Sequence, residues 1–229
     1  MKKTFLLALL AVATVPVAFG QARPGGATTS KDYTGGAVTD SRNTGFGVKG
    51  GYNLSSLRGD DIKGIDRNSR SDFHAGAYGQ LGFNDFSSVQ VELLYSRQGF
   101  EANTGGTATS RTRQKYRLDY LLLPIMYVGN VTETLSFHIG PQVALLNTAT
   151  LEDKSLDLKD NGFNSFDYGG VAGVEARVGP ARVGARYNLF VGKLLEDGPS
   201  KTGLVAANLQ NSKIYNNLFQ VYVGIGLTQ

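Results

Sequence analysis

The chain contains no cysteine and no tryptophan, and only 18% of its 229 residues are charged. Without cysteine there is no disulfide framework, no thiolate metal site and no thiol nucleophile. After the amino-terminal stretch no apolar run approaches the ~18 residues that a membrane-spanning helix requires. Only two histidines are present, and no P-loop, His-Glu-x-x-His or Gly-x-Ser-x-Gly motif occurs, so the common motif classes of enzyme find no support. The formal charge of +4 is spread thinly and includes Lys2 and Lys3, so it does not point to nucleic acid as a partner. What the chain has in excess is glycine, 30 residues without a Gly-X-Y period, together with Tyr and Phe. That pairing suggests strands.

The amino terminus reads as an export signal. Met1-Lys2-Lys3 is a positive n-region, Phe5 to Val17 is an apolar h-region, and Ala18-Phe19-Gly20 places small residues where a signal peptidase reads them. The expected organisation is a cleaved signal peptide over 1–20, a Gly-, Thr- and Ser-rich flexible leader over 21–43, and a folded domain over 44–229. No cysteine follows the h-region, which excludes a lipoprotein anchor.

From Thr44 the hydrophobic period is two. Phe46, Val48, Tyr52 and Leu54 alternate with Gly47, Lys49, Gly51 and Asn53. The same pattern sets Phe73, Ala75 and Ala77 against His74, Gly76 and Tyr78, and Val89, Val91, Leu93 and Tyr95 against Gln90, Glu92 and Ser96. It continues through Leu135 to Leu145, Phe166 to Val178, Ala181 to Leu189 and Phe219 to Leu227. Between 116 and 128 both faces are nearly apolar: Arg117 and Asp119 share one, Tyr116, Leu118, Tyr120, Leu122 and Met126 the other, with Pro124 marking an expected bulge or strand end. Eight such runs are joined alternately by long and short connections, the short ones at Asn84-Asp85-Phe86-Ser87, around 129–133 and at Gly179-Pro180.

This pattern predicts an all-β fold: an eight-stranded antiparallel up-and-down transmembrane β-barrel with short periplasmic turns and long extracellular loops. Backbone polar groups cannot stay open in lipid, so a spanning sheet must close on itself. The apolar set of each strand, ending in aromatics, is expected to meet outer-membrane lipid, and the set carrying charge and glycine to face the lumen. A charge network of Lys49, Glu92, Arg117, Asp119, Glu175, Arg182 and Arg186 is expected inside, near balance and able to pair.

Gly47-Val48-Lys49-Gly50-Gly51-Tyr52-Asn53, Glu92 through Gly99, Asp119-Tyr120-Leu121-Leu122-Leu123-Pro124, and Asp167-Tyr168-Gly169-Gly170 through Glu175 resemble the PorT-like outer-membrane beta-barrel domain family over about residues 44–229. The resemblance implies a small integral barrel of the bacterial outer membrane, usually without an assigned activity. The chain departs from the usual barrel ending, closing on Gly226-Leu227-Thr228-Gln229 without a terminal aromatic residue.

Other candidate chemistry is weaker. Gly45-Phe46-Gly47-Val48-Lys49-Gly50 matches a dinucleotide-binding spacing but sits in a strand with no following helix. Ser136 and Asp72 flank His138 and His74, an arrangement common by chance. Glu152, Asp153, Asp157 and Asp160 fit no calcium loop. No catalytic, cofactor-binding or metal residue is therefore assigned. The expected role is structural, adhesive or in envelope and secretion assembly, with envelope proteins as partners through the long loops. A narrow porin-like channel for passive transport and a soluble lipocalin-like carrier are the alternatives.

Overall fold

A computed structural model of the chain describes residues 43–59, 69–104, 112–151, 154–158, 160–161, 163–194 and 214–227. The expected signal peptide, the expected leader as far as residue 42, Glu152 and Asp153, and most of the loops expected at 56–71 and 191–216 lie outside the described residues.

The described strands are β1 (Gly45–Arg58), β2 (Arg70–Gly82), β3 (Ser87–Thr104), β4 (Thr112–Asn130), β5 (Leu135–Leu151), β6 (Lys154–Leu156), β7 (Phe166–Val178), β8 (Ala181–Phe190) and β9 (Tyr215–Gly226). They pair in the order β4-β3-β2-β1-β9-β8-β7-β5, and β4 also pairs with β5, so eight strands close a ring. Every pairing is antiparallel. The short β6 lies outside the ring and pairs with β5 at its loop end, through Ala149↔Leu156 and Leu151↔Lys154.

The short connections are tight turns. Asn84 Oδ1 accepts from the N–H groups of Phe86 and Ser87 at 2.9 and 2.8 Å. Thr132 Oγ1 accepts from Leu135 N at 2.9 Å. Gly179 adopts φ 60° before Pro180, a left-handed conformation that a residue with a Cβ tolerates poorly. Because side chains alternate across a strand, closure sends one set inward and the other outward along each strand.

The outward set forms two aromatic girdles. Phe46, Phe83, Tyr127 and Phe137 lie toward the short turns, and Tyr52, Phe73, Tyr95, Tyr168, Tyr187 and Phe219 toward the loops, all of them exposed. Between the girdles every outward position of the eight strands is apolar, glycine or proline. Glycine has a packing role inside: Gly184 pairs with Tyr222 and Gly47 with Tyr78, and a Cβ on either glycine would overlap the ring of its tyrosine partner.

Two expectations change at β4. Tyr116, Leu118, Tyr120, Leu122 and Met126 are buried inside the barrel and do not face lipid. Tyr116, Leu118, Tyr120 and Leu122 pack with Leu94, Phe100, Leu146 and Phe190, and with Leu156, Phe163, Leu194 and Ile214 at the loop end, in one apolar cluster. With two apolar faces, nothing in β4 alone specifies which points inward; the partners inside decide it. The register irregularity of β4 falls between Asp119 and Tyr120, where Asp119↔Thr148 gives way to Tyr120↔Leu146 and leaves Asn147 over. The strand runs on through Pro124, although the β3–β4 ladder is interrupted between Val91↔Ile125 and Leu94↔Leu122 beside it, where proline has no N–H to donate.

Candidate functional site

The lumen concentrates the chemically distinctive residues. Lys49 on β1, Glu92 on β3, Glu175 on β7 and Arg186 on β8 are all buried inward-facing groups. Lys49 Nζ donates to Glu92 Oε1 at 2.6 Å, and Arg186 Nη1 donates to Glu92 Oε2 at 2.6 Å. Gln90 Nε2 adds a third donor to this carboxylate at 2.6 Å. A buried carboxylate is tolerable only when its lone pairs are filled by charge-assisted donors, and Glu92 meets that condition.

Glu175 forms a second centre nearer the short turns. Arg182 Nη1 donates to its Oε1 at 3.2 Å, Tyr222 Oη donates to its Oε2 at 2.9 Å, and Lys49 Nζ stands 3.7 Å away. Arg177 Nε lies 3.6 Å from it, so four cations surround two carboxylates. The faces of two tyrosines take up part of that excess: Lys49 lies over the Tyr222 ring at 4.3 Å, and Arg182 over the Tyr78 ring at 4.6 Å.

A hydrogen-bonded chain runs on toward the loops. Arg186 Nε and Asn188 Nδ2 both donate to Gln220 Oε1, at 2.7 and 2.9 Å. Gln220 Nε2 donates to Asn53 Oδ1 at 2.7 Å, and Asn53 Nδ2 donates to Ser96 Oγ at 3.0 Å. Gln98 Nε2 reaches Ser96 Oγ at 3.1 Å, and Asn216 donates to Gln98. The lumen wall is therefore polar on β1, β3, β8 and β9 and apolar on β4.

Five of the seven residues expected in the network, Lys49, Glu92, Glu175, Arg182 and Arg186, are brought together. Arg117 and Asp119 are not: they alternate with the buried Tyr116, Leu118 and Tyr120 and so belong to the outward face of β4. Asp119 pairs there with Arg97 Nε at 3.0 Å, its register partner on β3, and Arg117 Nη2 approaches Thr150 Oγ1 at 3.5 Å. Tyr222, Gln220, Asn53 and Gln90 are members that charge counting passed over. The period-two pattern had put Tyr222, Gln220, Asn53 and Gln90 on the inner face, but only a search for uncharged donors would have selected them.

The histidines are not arranged as a nucleophile relay. Ser136 Oγ lies 3.2 Å from His138 Nε2, but Glu175 Oε1 stands 3.9 Å from that same nitrogen. A nucleophile relay needs the acid on the opposite ring nitrogen, and all three side chains are buried in the lumen. His74 Nδ1 is hydrogen-bonded to Asn53 Oδ1 at 2.8 Å, which makes it part of the packing network. No group of three or more His, Cys, Asp or Glu side chains suited to a metal ion occurs among the described residues.

The short-turn mouth holds a cavity of about 990 Å³ that includes Asn43, Asn130, Arg177 and Arg182 in its wall. Asn43 is fixed there: its Nδ2 donates to Asn84 O at 2.8 Å and Asp85 O at 2.9 Å, and its Oδ1 accepts from Asn130 Nδ2 at 2.9 Å and Arg177 Nη1 at 3.0 Å.

A closed ring of eight strands, charge-bearing within and apolar without between its aromatic girdles, is the architecture of an integral outer-membrane β-barrel protein. The chain belongs to the outer membrane protein beta-barrel domain family, which matches residues 19–193. That membership implies the bacterial outer membrane as its location. Among solved structures, Neisserial surface protein A is similar at TM-score 0.50 and 12% identity, over 79% of this chain and 96% of that one. Ail of Yersinia pestis matches at TM-score 0.45 and 13% identity, over 81% and 99% of the two chains. OprG from Pseudomonas aeruginosa matches at TM-score 0.46 and 16% identity, over 82% and 99%. No curated protein sequence matches the chain.

Proposed function

We propose that the protein is a non-catalytic outer-membrane scaffold of the PorT-like type, exported with cleavage after Gly20, whose closed barrel presents its long loops outward for a structural, adhesive or envelope-assembly role. The observation that carries this reading is the filled lumen. Glu92 is held by Lys49 and by Arg186 at 2.6 Å each, and the β4 wall packs into an apolar cluster above it. A barrel stoppered in this way transmits little through itself, and what it offers a partner is the loops held by a rigid frame. Short turns in the periplasm and long loops outside are the usual arrangement of such barrels. The soluble-carrier alternative needs its apolar face inside, whereas Val48, Val183, Val223 and Ile225 point outward. The cavity at the short-turn mouth is the observation in favour of a narrow channel, which would have to continue past the Glu92 layer.

The test joins fractionation to conductance. The processed protein is expected in the outer-membrane fraction with a band that shifts on boiling, and the purified barrel is expected to give no steady conductance in a planar bilayer. Regular single-channel steps would replace the scaffold reading with the channel one.

A further inference from the structure

Arg177 and Arg182 are register partners across the β7–β8 hairpin, and both face inward at the short-turn mouth. Like charges set directly opposite one another on a strand pair repel. One carboxylate oxygen serves both: Glu175 Oε1 stands 3.6 Å from Arg177 Nε and accepts from Arg182 Nη1 at 3.2 Å. That carboxylate is shared further, because its Oε2 accepts from Tyr222 Oη and lies 3.7 Å from Lys49 Nζ. Glu92, the other lumen carboxylate, is taken by Lys49 and Arg186.

The arginine pair therefore carries more N–H groups than the protein uses. Among the described residues, every hydrogen bond of Arg182 is made by Nη1, to Gln80, Gln90 and Glu175, which leaves Nε and Nη2. Arg177 Nη1 donates to Asn43 Oδ1 at 3.0 Å, and its Nη2 is buried without an acceptor, a costly state for a charged donor. The two side chains keep 16% and 13% of their surface exposed and stand in the wall of the cavity of about 990 Å³. Asp85 and Glu133 belong to the same wall, but they are exposed residues of the short turns, and among the described residues neither pairs with an arginine there. Solvent screens such rim charges far more than it screens charges sunk in the barrel wall.

We propose that Arg177 and Arg182 at the short-turn mouth form a binding site for a phosphate group, carried by free phosphate or by a small phosphomonoester. The group would take Nε and Nη2 of Arg182 from the cavity, and a turn of the Arg177 guanidinium would bring its Nη2 to a second oxygen. Two planar forks suit a tetrahedral oxyanion. A phosphate group carries roughly 1.5 to 2 negative charges at neutral pH, which answers the formal excess of Lys49, Arg177, Arg182 and Arg186 over Glu92 and Glu175. A cavity of this size admits a small solute attached to the phosphate. The inference goes beyond the scaffold reading. It needs no passage through the lumen, and it does not depend on which side of the membrane the short turns face.

The experiment uses the full chain folded in a zwitterionic detergent and titrated calorimetrically, at constant ionic strength, with inorganic phosphate, glycerol phosphate, acetate or chloride. The wild type is expected to bind phosphate saturably with a Kd on the order of 1 mM or below, and acetate and chloride at least about tenfold more weakly. R182Q is expected to weaken phosphate binding about tenfold and R177Q/R182Q to abolish it, with the heat-modifiable band retained. R182K, which keeps the charge without the fork, is expected to fall between R182Q and the wild type. Whichever of inorganic phosphate and glycerol phosphate binds more tightly names the source, and either result supports the site. Absence of saturable binding of both by the wild type overturns the proposal, and so does an unchanged phosphate affinity in R177Q/R182Q. If the double variant forms no compact band, R182Q decides alone, and an affinity equal to that of the wild type overturns the proposal. Equal affinity of the wild type for phosphate and acetate overturns the phosphate assignment in favour of a general anion site.

Discussion

Arg186 Nη1 donates to Glu92 Oε2 at 2.6 Å from the opposite side of the barrel. Their strands, β8 and β3, have three strands between them in either direction round the ring, so this contact spans the lumen. With Lys49 on β1 it gives one carboxylate two cationic partners from separate parts of the wall.

Removing that carboxylate charge strands two buried cations. Glu92→Gln is expected to destabilise the barrel by about 3–5 kcal/mol, whereas replacing Glu92, Lys49 and Arg186 together with apolar side chains is expected to cost much less. Urea titration of the heat-modifiable band for the single and triple variants checks this; equal losses would mean that the charges do not act as a unit.

The outward positions of β8 and β9 predict the converse. Val183 and Val221 lie between the girdles with exposed side chains, so Val183→Arg or Val221→Arg is expected to cost about 2–4 kcal/mol near the bilayer midplane and to lower folding yield into vesicles. A variant that inserts as well as the wild type would reverse the assignment of faces.

Gly184 lies under the Tyr222 ring, whose Oη donates to Glu175 Oε2 at 2.9 Å. Gly184→Ala is expected to push the ring aside and break that bond, at about 1–3 kcal/mol. Tyr222→Phe keeps the packing and is expected to lose only about 1 kcal/mol. Midpoints of thermal band conversion would rank the two, and the opposite order would count against the ring-over-glycine account.

Asn43 draws on both of its amide atoms to tie the short-turn mouth together. Asn43→Ala is expected to cost about 1–3 kcal/mol by leaving Asn130 and Arg177 short of an acceptor, and Asn43→Asp, which keeps that acceptor, to lose less. Limited proteolysis of the folded barrel near residue 43 would report the loosening; no change in cleavage for Asn43→Ala would show that the latch has no structural weight.

The conducting alternative makes its own demand. The double variant Glu92→Ala/Arg186→Ala empties the middle of the lumen and is expected to raise ion leakage in a planar bilayer above that of the wild type. Silence from both proteins would place the block in the apolar cluster around Leu118 and Leu122.

Much of this was legible because seven of the eight barrel strands carry a single unambiguous period of two. In β1, placing Val48 outside places Lys49 inside, and a one-residue slip would put the lysine in lipid. The same reasoning located Glu92, Glu175 and Arg186 before any contact was known. It failed at β4, where Leu118 and Leu121 are equally suited to core and lipid, and so Arg117 and Asp119 were expected in a lumen from which they are excluded. Asp119 finds Arg97 only because β3 and β4 are held in a particular register, with Arg97↔Asp119 opposed.

The linear chain by itself determined strand content, the alternation of short turns with long connections, and the sorting of most side chains between an apolar and a polar face. These follow from local rules of period, turn chemistry and segment length. The tertiary structure alone decided who meets whom: that Glu92 is shared by Lys49 and Arg186, that Tyr78 and Tyr222 cover glycines, and that β4 turns Tyr116 and Tyr120 inward. Those outcomes depend on ring closure and on the stagger between strands, which bring residues from distant strands together across a lumen, and no period along the chain encodes that distance.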